Sequence, residues 1–440
     1  MAKRPHFLLV AAFLAYLQCA RGIFYAQPEQ IHLSYGRDPS SMIVTWNTIN
    51  DTKISAVKYG SSPLAINQQV TGYSTHFVDG GTEHRAQYIH RVVITGLTPG
   101  QKYFYHCGSD YGWSDPFFFT TMPEGTDWSP RIVMFGDLGN VNAQSLPRLQ
   151  SEVDMYDAVL HIGDFAYDMD KNQSTVGDAF MRQIQPIAAY LPYMTCPGNH
   201  ENSYNFSNYK NRFTMPFDEQ SDRMFFSFDM GPAHIISFST EYYFYVNYGI
   251  SQLVRQYEWL EQDLKEASLP ENRAKRPWII TMGHRPMYCS NADDDDCTHL
   301  ESLVRTGVPK LHVNGLEDMF DKYGVDLALW AHEHSYERFW PVFNRTVYNG
   351  SYDQPYTNPG APVHLITGSA GCSERHDNFL KDAGPWSALR NLDYGYTRMT
   401  IHNNTHISLE QVSDDKKGQI VDSFTLIKDK HEPYGLSGDY

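Results

Sequence analysis

At 440 residues, with 41% hydrophobic and 20% charged positions, the chain is long enough for two or three domains with cores of their own, and its composition excludes a disordered or coiled-coil protein. A formal charge of −16 argues against nucleic acid as a partner. An anionic substrate would meet repulsion from the chain as a whole, so a site for one must supply its own positive charge.

The chain opens with Lys3 and Arg4, an apolar stretch from Phe7 to Leu17, and the small residues Ala20 and Gly22. That is the layout of a secretory signal peptide over residues 1–22, with a retained anchor as the competing reading. The stretch is short of the roughly 20 residues that cross a bilayer, and no later segment reaches that length, so no membrane anchor is expected. The polar tail 431–440 excludes a lipid-anchor signal of the hydrophobic-tail type. Sequons at Asn50, Asn172, Asn205, Asn344, Asn349 and Asn403 predict a secreted glycoprotein. Cys19 leaves with the signal, so Cys107, Cys196, Cys289, Cys297 and Cys372 remain, an odd number that allows at most two internal disulfides. Cys289 and Cys297 flank the acidic run Asp293 to Asp296 and can close a small loop; Cys196 reads as a core thiol.

Residues 23–122 read as an all-β module. The segments Ile31–Tyr35, Met42–Thr48, Ile54–Tyr59, Tyr88–Ile94, Lys102–Cys107 and Pro116–Thr121 are short, rich in β formers and separated by turn residues. With Trp46 in an early strand and Tyr103 placed for a tyrosine-corner contact, the module resembles a fibronectin type III-like β-sandwich. Both aromatics are expected in its core. Residues 123–130 form a linker.

From Arg131 to about residue 430, strand-like and helical runs alternate, which predicts an α/β layered domain with mixed sheets. Ser251–Ser268 is the clearest helix, with Leu253, Tyr257, Leu260 and Leu264 on one stripe and Ser251 as N-cap. Leu316–Tyr323 is another, stopped by Gly324. Phe225–Asp229 and Ala233–Ser239 form a hairpin; Thr397–Ile401, His406–Gln411 and Ile420–Ile427 are closing strands.

Five apolar runs in this domain end in metal-competent groups: Ile132 to Asp137, Val159 to Asp164 with Tyr167 beyond it, Tyr193 to Asn199-His200, Ile279 to His284, and Val325 to His332-Glu333-His334. In α/β sheets ligands collect past the carboxyl ends of strands, and His332 and His334 reach one site only where the chain turns past its strand. Any one such end is an ordinary turn. Five in this order resemble the metallophosphoesterase superfamily, and Tyr167 in Gly163-Asp-Phe-Ala-Tyr-Asp168 makes the chain similar to the purple acid phosphatases, in their long two-domain form, over about residues 27–430.

The resemblance implies two metals per subunit. Asp137, Tyr167 and His334 would hold Fe(III), Asn199, His284 and His332 a divalent ion (Zn, Fe or Mn), and Asp164 would bridge. Hard oxygen donors suit the ferric ion, and imidazoles with an amide suit the divalent one. The two ions bring more positive charge than the aspartates, phenolate and hydroxide remove, which lets an acidic protein attract phosphate. The implied activity is hydrolysis of a small phosphate monoester at acid pH, by attack of a metal-activated hydroxide with no protein nucleophile.

His200 is placed by the same resemblance to hydrogen-bond substrate and protonate the leaving oxygen, or else to orient the site. His299 falls in the loop where plant members carry substrate-facing histidines, though the insert Asp293–Asp296 blurs that correspondence; those aspartates either repel highly anionic substrates or form a solvated turn. Ala331 stands where the superfamily usually has glycine. Glu333 is expected to point away from its histidine neighbours, as an orienting or an exposed residue. The alternatives are a phosphodiesterase or nucleotide pyrophosphatase on the same centre, and a non-catalytic extracellular binding protein. Oligomeric state is open.

Overall fold

The computed structural model describes residues 26–216, 221–298 and 302–438. The signal segment 1–22 and His299 therefore lie outside the described residues.

The N-terminal module is a two-sheet sandwich. One sheet runs in the order Glu29–Tyr35, Met42–Thr48, Ala86–Ile94, Tyr73–Val78; the other is built on Gln68–Thr71, Ala56–Gly60, Lys102–Ser109 and Gly112–Trp113, with Phe117–Thr120 also on the 102–109 strand. Trp46 is buried and stacks on His90, and Tyr103 accepts a hydrogen bond from Thr98 N at 3.0 Å, which pins the corner before its strand. The edge strands 68–71 and 73–78 lack an apolar period. Their residues are largely exposed and held by pairing alone, which is why the sequence pattern does not announce them.

The sandwich is fastened to the second domain by buried polar contacts. Tyr35 Oη donates to Asp157 O and Tyr105 Oη to Ala189 O, both at 2.8 Å, and Arg91 Nε donates to Thr214 Oγ1 at 2.8 Å. Its core is continuous with that of the α/β domain.

That domain stacks two mixed sheets. The first has the order Tyr193–Cys196, Ala158–Ile162, Arg131–Phe135, Gly395–Ile401, His406–Ser413, Gln419–Ile427; its first three strands are parallel and the rest antiparallel. The second runs Phe226–Met230, Ala233–Ser237, Trp278–Met282, Leu327–Trp330, Val363–Thr367, Tyr336–Phe339, Ser387–Asn391, with a parallel run from 233–237 to 363–367. The helix Ile250–Ala267 buries Leu253, Leu260 and Leu264. It begins after Gly249, so Ser251 falls in its first turn and makes no cap. The helix Glu317–Tyr323 stops at Gly324, whose φ is +66°. A helix at Thr175–Ala188, which buries Phe180, Met181, Ile184 and Ile187, escapes the sequence reading because Gly177 and Pro186 interrupt its pattern.

Residues beyond 430 pack on this domain: Lys428 Nζ donates to Tyr434 Oη at 3.0 Å, and Ser437 N donates to Asp321 at 2.9 Å. Cys289 and Cys297 form a disulfide, while Cys107, Cys196 and Cys372 are buried free thiols. No helix among the described residues is long and apolar enough to cross a membrane.

Candidate metal centre

The first sheet delivers Asp137, Asp164, Tyr167 and Asn199 past its parallel strands, and the second delivers His284, His332 and His334, so the site lies where the two sheets' carboxyl ends meet. The turns there are tight. Asp137 (φ +58°), Asp164 (+52°), Tyr167 (+52°) and His332 (+73°) adopt left-handed backbone, which costs roughly 1–3 kcal/mol each and persists only when the surroundings impose it. Asp137 N donates to Gly163 O at 3.2 Å, His332 N to Asp137 Oδ2 at 3.0 Å, and Asp164 N to Glu201 Oε2 at 2.9 Å. Close approach also demands glycine: a Cβ on Gly163 would stand 2.4 Å from His284 Nδ1, and one on Gly198 2.2 Å from Asp164 Oδ1.

The side chains fall into two groups around Asp164. In the first, the Tyr167 hydroxyl lies 3.0 Å from both Asp137 Oδ1 and His334 Nε2. In the second, His284 Nε2 lies 3.2 Å from Asp164 Oδ2, 3.1 Å from Asn199 Oδ1 and 3.3 Å from His332 Nδ1.

The outer ring nitrogens explain what the inner ones offer. His284 Nδ1 faces the Ile162 carbonyl at 2.9 Å, His334 Nδ1 faces the Arg375 carbonyl at 2.8 Å, and His332 Nε2 faces the Asp295 carboxylate. An N–H on each of these outer nitrogens can donate to the acceptor it faces, the tautomer in which the inner nitrogen of the neutral ring is free to bind a metal ion. Arg285 Nη1 stands 2.9 Å from the same His332 Nε2 and 3.2 Å from Asp295, so a guanidinium N–H and a carboxylate both face the outer side of that ring. Two lone pairs, on His284 Nε2 and His332 Nδ1, then meet beside a carboxylate. In the neutral rings they repel. Without metal a proton on His284 relieves this, since Asp164 overcomes burial and raises that ring's pKa to about 10. The same two imidazoles, amide and carboxylate fit a metal ion in the proton's place, while the oxygen-rich group with Tyr167 fits a harder one.

Charge follows the same division. Burial alone would lift the Asp164 carboxyl, but the rings of His284, His200 and His332 draw it well below the usual carboxylate range. Burial and the carboxylates of Asp137 and Asp164 push the Tyr167 phenol well up, so it ionises only against a strong cation.

His200 sits over the first group, its ring 4.4 Å from that of Tyr167. Its Nδ1 is 2.5 Å from Asp168 Oδ1, and its Nε2 is 3.9 Å from Asp164 Oδ2 and 3.5 Å from Glu374 Oε2. Burial opposes the charged ring, yet Asp168 and Asp164 raise its pKa to about 9.

Several neighbours are absent from the sequence reading. Glu201 accepts from the backbone N–H of Asp164, Phe165 and Gly198 and so locks two ligand-bearing loops together. Asp377 accepts from His334 N at 2.7 Å. Asp168 ends one quoted motif and Glu201 directly follows another, but an acid in a turn has no signal that separates it from a solvated one. The acidic insert is more than a solvated turn, since Asp295 reaches His332 and Arg285. Glu333 is fully buried against Cys297, which removes the exposed reading. Ala331 is accommodated by Gly136, where a Cβ would stand 2.3 Å from the alanine methyl.

Comparison with known proteins gives three consecutive matches to family models: "Purple acid Phosphatase, N-terminal domain" over residues 28–121, "Calcineurin-like phosphoesterase" over 130–336, and "Iron/zinc purple acid phosphatase-like protein C" over 361–423. Among curated relatives, acid phosphatase type 7 of Danio rerio is 57% identical over 92% of this chain and 93% of its own. The Homo sapiens protein of that name is 56% identical over 96% of each chain. Among solved structures, a purple acid phosphatase from yellow lupin seeds shares the fold with a TM-score of 0.75 at 24% identity, over 92% of this chain and 75% of that one.

Proposed function

The chain belongs to the purple acid phosphatase family of metallophosphoesterases, and on that premise we propose that it hydrolyses phosphate monoesters. In this reading Asp137, Tyr167 and His334 would hold Fe(III), Asn199, His284 and His332 would hold Zn, Fe or Mn, and Asp164 would be available to either. The observation that carries it is the approach of His284 Nε2 and His332 Nδ1 to 3.3 Å beside Asp164, next to the Tyr167 group. When bound, such a metal pair screens the phosphate oxygens and activates water for in-line displacement.

The chain's own residues do the remainder. Asp168 holds His200 Nδ1, which leaves Nε2 to face the substrate side. A proton on Nε2 hydrogen-bonds a substrate oxygen and passes to the leaving oxygen as the ester bond breaks. Glu374, about half exposed, competes for that same atom until an anion displaces it. Arg285 is tied to Glu241 and Asp295, so it steadies the His332 side without reaching for phosphate.

We extend the reading to a secreted glycoprotein that acts at acid pH. The signal layout supports export, and Asn50, Asn172, Asn344, Asn349 and Asn403 are exposed, whereas Asn205 is half-buried. Glycosidase treatment of protein recovered from the medium should lower its mass.

The deciding experiment combines metal analysis, a visible spectrum and turnover of p-nitrophenyl phosphate against its bis ester. Two metals per chain, a visible band that Tyr167→Phe abolishes, and preference for the monoester are expected. Preference for the bis ester would make it a diesterase, and active protein free of metal would overturn the dimetal reading.

A further inference from the structure

Glu333 stands between the two inner histidines, and its side chain enters a cluster of acids. Single oxygens of Asp293, Glu333 and Asp377 lie within 4.8 Å of one another. Asp293 is exposed, Asp377 half-buried and Glu333 fully buried. Carboxylates this close repel unless a proton or a cation lies among them. Arg285, the guanidinium bound to this loop, is already shared between Glu241 and Asp295.

Glu333 shows that the cluster is built for more than repulsion. Its Oε1 lies 2.9 Å from Cys297 Sγ, but that sulfur is bonded to Cys289 and has no proton to give. Its Oε2 is buried without an N–H or hydroxyl partner among the described residues, and the group it faces is another carboxyl, that of Asp293. Unless it shares a proton with Asp293, no N–H or hydroxyl among the described residues satisfies this buried carboxyl, an arrangement native proteins avoid unless a charge partner is supplied. Asn291 adds a second buried, unpartnered oxygen, Oδ1, on a residue whose Nδ2 donates to the Asp377 carbonyl at 2.8 Å.

We propose that Asp293, Glu333 and Asp377 bind a calcium-type divalent cation at a site separate from the two-metal centre. Carboxylate oxygens are the ligands of a hard ion. Calcium holds them at about 2.3–2.6 Å, so oxygens on one ion stand up to about 5 Å apart, which the observed spacing meets. Water completes the shell on the exposed Asp293 side. The ion joins three stretches of chain: the disulfide-closed loop that carries Asp295, the turn that carries His332 and His334, and the segment whose Asp377 accepts from His334 N. Calcium thereby fixes the outer contacts of both inner histidines.

The test uses the full-length holoenzyme, its two transition metals counted first, dialysed free of calcium and then titrated with calcium chloride by calorimetry and equilibrium dialysis. One calcium per chain is expected, with binding at least about tenfold weaker in Asp293→Asn and the transition metals retained. Asp293 is exposed, so that variant keeps the fold. Glu333→Gln copies a protonated carboxyl and separates cation from proton: lost calcium binding supports the site. Calcium bound equally by wild type and Asp293→Asn, no binding at millimolar calcium, or calcium that merely displaces a transition metal would each overturn it.

Discussion

His200 Nδ1 lies 2.5 Å from Asp168 Oδ1, and Asp168 is itself held by Lys171 Nζ at 2.7 Å. The ring proposed to face substrate is thus fixed from behind by a carboxylate. Asp168→Asn should lower kcat by about 10–100-fold, with both metals retained and KM little changed. The deficit should grow with poorer leaving groups, because it is proton delivery that suffers. Steady-state kinetics over a series of aryl phosphates, with metal analysis beside it, checks this; an equal loss for all leaving groups would contradict it.

The two inner histidines, one residue apart, belong to different groups of donors. His334 Nε2 is 3.0 Å from the Tyr167 hydroxyl, whereas His332 Nδ1 is 3.3 Å from His284 Nε2. His334→Ala should disturb the visible band directly, as Tyr167→Phe should. His332→Ala should chiefly empty the divalent site and leave colour in place. Metal content and absorption of the three variants decide the matter, and equal effects of both histidine substitutions would break the division.

The strand ends were readable because short apolar runs stop at polar groups, and the helix 250–267 was readable from its apolar stripe. The edge strands 68–71 and 73–78 were not, since pairing with neighbours, and no side-chain pattern, makes them. The site divides the same way. Residues that carry motifs, such as Asp137 and Tyr167, were visible, but Glu201 works through three backbone N–H groups and Asp295 through a contact 37 residues away in sequence. Such roles exist only once the loops are folded together. Ser251 is no cap because the helix already starts at Ile250, with Gly249, two residues before Ser251, in the capping position.

Gly136 and Ala331 share one small space between the two sheets. A Cβ at residue 136 would lie 2.3 Å from the Ala331 methyl and 2.8 Å from the Ile162 carbonyl oxygen. Gly136→Ala should destabilise by about 1–3 kcal/mol, the usual range for overpacking. Adding Ala331→Gly should restore part of that loss and leave the remainder due to Ile162. A double-mutant cycle on denaturation midpoints measures the coupling; strictly additive effects would show that the two residues do not share the space.

His234, far in sequence from the metal-binding stretches, joins Asp229 at 2.8 Å and Asp263 at 2.9 Å. Burial disfavours its charged form, but the two carboxylates prevail and raise its pKa from 6.5 to about 9. The folded state therefore holds this proton more tightly than the unfolded chain does. Its contribution to stability is complete below about pH 6.5 and disappears as pH rises through about 9. It is on the order of 2 kcal/mol, less than the full shift implies because Asp229 is partly exposed. His234→Gln should lower the urea midpoint clearly at neutral pH and below, and the gap from wild type should narrow above pH 9. A gap that stayed constant across that range would show that His234 stabilises by packing, without the proton.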